Sequence, residues 1–220
     1  MPEPKRLDIF GYRDEPVPHT FFRQEDETDH LAILAPGGRY TAYMPLLYYP
    51  MRLLLKLGAD VLRIEYAYTG RAEYQALPPA EQMRWLFTDV SAASRAALAQ
   101  RPYQQVTLVG KSLGTLAMGY LLTAESALRK AQAIWLTPLL WNDLWRSQIQ
   151  QVRPRSLFAS GTADPHYDPA HLAELQVATN GRAVVVEGAN HSLEIEGDVM
   201  ASLQALEQVV QAVQTFLRGA

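Results

Sequence analysis

From residue 31 onward, short continuous apolar runs alternate with longer stretches in which apolar residues recur at helical spacing. Leu31-Ala32-Ile33-Leu34-Ala35 is apolar throughout and ends in Pro36-Gly37-Gly38, the profile of a strand buried on both faces. Residues 44–57 follow as an apolar helix with Pro45 in its first turn, where proline is tolerated. Pro50 lies deeper and predicts a kink or a late helix start. Residues 59–66 form a second strand, and 80–100 a helix with Trp85, Leu86, Val90, Ala93 and Ala97 on one stripe. Val106-Thr107-Leu108-Val109 is a third strand running straight into Gly110, and a helix covers 115–124. Further strands are predicted at 131–136, 155–160 and 182–187. Asp198 is placed to cap a last helix whose apolar residues are Met200, Leu203, Leu206, Val210, Val213 and Leu217. Ahead of this series, residues 7–12 and 20–24 are β-like runs either side of the turn-forming Asp14-Glu15-Pro16, and the acidic stretch 25–29 is a solvated turn.

Strands alternating with helices predict an α/β protein with a mainly parallel central sheet and helices on both faces. No repeat, low-complexity tract or flexible linker divides the chain, so one domain over residues 1–220 is expected. Right-handed crossovers bring the C-terminal ends of the parallel strands to one edge, where α/β proteins bind their ligands.

Composition narrows the function. A net charge of −3 with scattered basic residues points away from nucleic acid and anionic membranes. The absence of cysteine excludes disulfides, thiolate metal sites and a cysteine nucleophile. No apolar stretch has the length of a signal peptide or a membrane span, so a cytoplasmic protein acting on a small molecule is expected.

The candidate chemistry sits at predicted strand ends. Gly110-Lys111-Ser112-Leu113-Gly114 fits G-x-S-x-G, in which a serine rides a sharp strand-to-helix turn and flanking glycines let the chain fold back. The turn sets the hydroxyl at a helix N-terminus, which favours developing negative charge. Reading Gly110-Lys111-Ser112 as the end of a phosphate-binding loop requires glycine at position 105, which is Gln105, and leaves no loop because 106–109 is the strand. The plain alternative is a glycine-rich turn capping a helix.

A serine hydroxyl needs a base. Of the five histidines, His19 and His30 precede the main sheet as surface or turn residues, and His166 and His171 lie on a polar loop after the fifth strand. His191 follows the sixth strand in Gly188-Ala189-Asn190-His191-Ser192 and is the candidate base. Asp164, in Gly161-Thr162-Ala163-Asp164-Pro165, is the candidate acid, with Asp168 as runner-up; Glu194 and Glu196 lie too near His191 in sequence. The order serine, acid, histidine is that of the α/β-hydrolase triad.

On the elbow at 110–114, the aspartate loop at 161–164 and the histidine loop at 188–192, the chain resembles the α/β-hydrolase superfamily, in its small branch of short carboxylesterases and dienelactone-hydrolase-like proteins. The likeness runs from the strand at Leu31 to the last helix and implies an α/β-hydrolase fold with a minimal lid or none. Dienelactone hydrolases proper carry a cysteine nucleophile where this chain has Ser112. The resemblance implies a serine esterase that uses Ser112, Asp164 and His191 with no cofactor and no metal. It assigns one oxyanion donor to the N–H of Leu113 and maps the other onto Gly38, with Arg39 close behind.

Only residues 137–154 are free for a lid, room for one helix carrying Leu139, Leu140, Trp141, Leu144 and Trp145. Trp141, with Tyr40 and Tyr68 at neighbouring strand ends, is a candidate acyl-pocket residue, as are Arg39 and Lys111 beside the elbow; core or surface roles are the plain alternative. Ester hydrolysis is the expected activity, and thioester cleavage, other triad chemistry or a non-catalytic binding protein the alternatives.

Overall fold

The computed structural model describes residues 2–66 and 68–219; Met1, at the head of the polar N-terminal run, Ala67 and Ala220 lie outside it. Among the described residues one eight-stranded sheet forms the centre. Its strands are β1 (Pro4–Lys5), β2 (His19–Phe22), β3 (His30–Ala35), β4 (Asp60–Ile64), β5 (Gln105–Lys111), β6 (Gln132–Leu136), β7 (Ser156–Gly161) and β8 (Arg182–Val186). The order across the sheet is β1-β2-β4-β3-β5-β6-β7-β8, parallel from β4 to β8, with β1 and β2 added antiparallel at one edge.

The helices are α1 (Pro45–Lys56), α2 (Ala72–Gln75), α3 (Pro79–Leu98), α4 (Leu113–Ala124), α5 (Asp143–Val152), α6 (Pro169–Thr179) and α7 (Val199–Arg218). β3 shows why the sheet needs cover on both sides. Leu31, Ile33 and Ala35 join the core beneath α3, α4, α5 and α6, while Ala32 and Leu34 join the core beneath α1 and α7. Full burial of a single Leu or Ile side chain contributes about 1.5–3 kcal/mol. A central strand apolar at every position is therefore the physical requirement of a two-sided sheet.

Several elements depart from the sequence-based expectations. Helix α1 starts at Pro45 and continues through Pro50, without the late start. Leu46, Leu47, Pro50, Met51, Leu54 and Leu55 are all buried, and that packing offsets the hydrogen bond the proline cannot donate. Residues 7–12 do not form a strand: the Tyr12 N–H donates to Asp89 Oδ1 at 2.8 Å instead of to a ladder, and Arg13 and Asp14 take positive φ. His19 and His30 are strand residues; buried His30 bonds Thr107 Oγ1 at 2.8 Å through Nε2. α6 is a helix where a polar loop was expected, so His171 sits in its first turn. No helix of the described residues is long and apolar enough to cross a membrane.

Candidate active site

The register carries Ala35, Gly110, Leu136, Gly161 and Val186 to the same edge of the sheet. There β5 gives way to α4 within one residue, Ser112, at φ 52° and ψ −115°. A non-glycine backbone held in that region costs about 1–3 kcal/mol and persists only where its surroundings fix it. They do so here. The Ser112 N–H donates to Leu136 O at 3.0 Å, and Thr115 returns its N–H at 2.8 Å and its hydroxyl at 2.6 Å to the Ser112 carbonyl. A Cβ on Gly114 would strike the Ala35 carbonyl, and one on Gly110 would strike Met118 Sδ, so both glycines are demanded by close approach.

The loops that carry Asp164 and His191 are tied to each other. Ala163 N–H donates to Ala189 O at 3.0 Å and Gly188 N–H to Thr162 Oγ1 at 2.8 Å. A side chain at Gly161 would collide with the Ala189 carbonyl. Asn190 Oδ1 accepts the N–H groups of Ser192 at 2.8 Å and Glu194 at 3.2 Å, which curls the loop around His191.

These constraints bring three side chains into line. Asp164 Oδ2 lies 2.7 Å from His191 Nδ1, and His191 Nε2 lies 2.8 Å from Ser112 Oγ. The second carboxylate oxygen, Oδ1, accepts the His166 N–H at 2.9 Å. An ionised carboxylate only accepts, so the proton between Asp164 and His191 belongs on Nδ1, which leaves Nε2 to accept from the serine hydroxyl. The aspartate side chain is 1% exposed and that of the histidine 28%, so the chain of bonds runs from the interior to an accessible serine. Among the described residues, Asp164, His166 and His191 form a group that could hold a metal ion, with ligand atoms within 4.8 Å of one another. A metal there would compete with the hydrogen bonds just described.

A family model described as an alpha/beta hydrolase domain matches residues 29–218. The chain belongs to the alpha/beta hydrolase family. Solved structures share the fold at low sequence identity. An esterase from Pyrococcus furiosus, Pf2001, aligns over 98% of this chain and 90% of its own at 14% identity, with a TM-score of 0.71. XC6422 from Xanthomonas campestris, an α/β serine hydrolase without a lid, aligns over 98% and 94% at 20% identity, with a TM-score of 0.69. Est1E from Butyrivibrio proteoclasticus aligns over 98% of both chains at 14% identity, with a TM-score of 0.71. No curated protein matches by sequence.

The other candidates scatter in this alpha/beta hydrolase. Gly38 lies beside the elbow: a Cβ added to it would stand 3.8 Å from Leu113 Cδ2. The Gly37 N–H is taken by Tyr40 O at 2.9 Å, whereas that of Gly38 has no partner among the described residues. Arg39 is exposed and makes no ion pair among the described residues. Tyr68 is a correction: it is 2% exposed, stacked between Tyr66 and Tyr74, with its hydroxyl on Asp89 Oδ2 at 2.6 Å. Burying a tyrosine ring and hydrogen-bonding its hydroxyl satisfies both halves of the side chain, so Tyr68 belongs to the core. Tyr40 is also buried; its hydroxyl accepts the Leu46 N–H at 2.9 Å, and its ring borders a cleft of about 750 Å³ between α1 and the histidine loop. Trp145 is core, while Trp141 is 57% exposed and its indole reaches His166 at 3.1 Å. Asp168, the runner-up acid, caps α6 by accepting the His171 N–H at 2.9 Å.

Lys111 is a second correction. It is closed off from solvent rather than presented to a substrate, with Nζ 4.9 Å from the Tyr40 ring centroid. Burial lowers its pKa to about 8, and the Asp164 carboxylate opposes that fall. The unfolded chain keeps this proton to about pH 10.4. Between those values the unfolded state binds more protons, so stability rises with pH through that window. Lys111→Met is therefore expected to melt higher than the wild type at pH 7, by about 2–4 °C for each kcal/mol of desolvation relieved. That advantage should shrink as the pH climbs from 8 toward 10. Thermal melts across this range check it, and a constant difference would remove Lys111 as the source.

Proposed function

We propose that the protein is a serine hydrolase that cleaves a carboxylic ester through a Ser112–His191–Asp164 triad. The carrying observation is the unbroken pair of hydrogen bonds, 2.7 Å and 2.8 Å, from the buried aspartate through the histidine to the serine. In this reading His191 Nε2 takes the Ser112 proton as Oγ attacks the acyl carbon. Asp164 holds the imidazole in the Nδ1–H tautomer and offsets the charge of the imidazolium. The N–H groups of Leu113 and Gly38 receive the oxyanion, and loss of one such donor typically costs about 3 kcal/mol. His191 returns its proton to the leaving alkoxide; water, activated by the same nitrogen, then releases the acid and restores Ser112. The esterase name of Pf2001, and the ferulic acid bound to Est1E, favour an oxygen ester over other acyl bonds.

The test is intact-mass analysis after exposure to a fluorophosphonate probe. One adduct, mapped by peptide sequencing to Ser112, is the expected result. An unlabelled protein would argue for a binding role on the same fold.

A further inference from the structure

His166 occupies an unusual place beside the triad, and the ester-hydrolase reading leaves its ring without a task. Its backbone N–H holds Asp164 Oδ1 at 2.9 Å, while its ring meets that of His191 edge to face, centroids 4.9 Å apart and planes at 81°. On its other side Nδ1 lies 3.1 Å from the indole Nε1 of Trp141. An indole N–H only donates, so Nδ1 of His166 must be the unprotonated nitrogen and the ring proton must sit on Nε2. Trp141 thus fixes both the plane and the tautomer of a half-buried imidazole that would otherwise turn freely about χ2.

We infer that His166 is a positioning residue whose ring, locked by the indole of Trp141, holds the His191 imidazole in line between Asp164 and Ser112. The need is physical. His191 stands on a loop and must keep both nitrogens aimed while a proton moves onto and off Nε2. One face of its ring would be free to tilt without a neighbour. A neutral imidazole set edge to face supplies that neighbour without adding charge next to the imidazolium. A protonated ring there would oppose the transition state. The indole N–H that Trp141 donates to Nδ1 needs an unprotonated nitrogen there, so the ring it holds is the neutral one.

The inference rests on the triad reading, and two readouts separate them. In His166→Ala the ring is gone but the backbone bond to Asp164 remains. The expected result is a loss of about 10²-fold in kcat on a short p-nitrophenyl ester with KM little changed, the size associated with a misplacement of about 1 Å. His166→Phe restores an aromatic edge and should recover most of kcat; Trp141→Phe keeps the bulk but frees the His166 ring, and should fall between. The second readout needs no turnover. The low-field proton resonance of the His191 Nδ1–H to Asp164 bond should be sharp in the wild type, broadened in His166→Ala and sharp again in His166→Phe. An unchanged resonance in His166→Ala would overturn the inference. So would a loss confined to KM, which would make His166 a substrate contact instead. A wild type inert toward esters and fluorophosphonate overturns only the hydrolase reading, because the resonance still reports how His166 holds His191.

Discussion

Ser112→Ala is expected to lower kcat on a short ester by about 10⁶, the loss that follows when a triad nucleophile is removed. The hydroxyl is the only group the variant deletes. Backbone clamps on residue 112 come from its N–H and carbonyl, through Leu136 O and Thr115, and alanine keeps both. The thermal melt should therefore match the wild type, and the residual rate should reflect only the N–H donors and substrate binding. Steady-state kinetics beside a melt would read both quantities. Activity within tenfold of the wild type would remove Ser112 from the reaction.

Asp164→Asn is expected to lower kcat by about 10⁴ with the fold intact. The amide oxygen can still accept the His166 N–H, which bonds Asp164 Oδ1 at 2.9 Å. The amide nitrogen then faces His191 Nδ1 and donates to it, which forces the ring proton onto Nε2. In that tautomer His191 cannot accept from Ser112. Asp168→Asn is the matched control, since asparagine caps a helix as well as aspartate does and Asp168 touches α6, not His191. Equal losses in both variants would mean that charge at this edge, rather than the tautomer of His191, sets the rate.

How much of this was legible in the residues follows from how local each signal is. The two-sided strand at 30–35, the serine turn and the capping aspartate at 198 each declare themselves within a few residues, and the structure has them where the pattern put them. Helix α6 does not: Leu172 and Leu175 face the core, but Val177 is exposed on the same short helix, so its apolar periodicity is weak. The N-terminal run failed for the opposite reason. Leu7 and Ile9 alternate like a strand and are buried like one, yet the partner that claims the next turn is Asp89 of α3, 77 residues away in Tyr12's hydrogen bond. Tyr68 and Lys111 show the same limit at the site itself. A place at a strand end, or beside the elbow in sequence, says nothing of which way a side chain turns, and both turn inward. The lining-up of Ser112, Asp164 and His191 was accessible because chain order and strand ends are topological facts; the Trp141–His166 contact was not, because it depends on how a loop lies.

The elbow, the acid loop and the base loop come from strand ends far apart in sequence, with His191 27 residues beyond Asp164 and 79 beyond Ser112. During synthesis Ser112 therefore emerges well before His191. At elongation rates of roughly 5–20 residues per second, the delay between them is about 4–16 s. Throughout that interval the nascent chain carries an ordinary hydroxyl, as inert as any other serine. On the proposed triad, the strained turn at Ser112 gains its base only when β8 has docked and delivered the imidazole, so the order of translation itself leaves an unfinished chain without one.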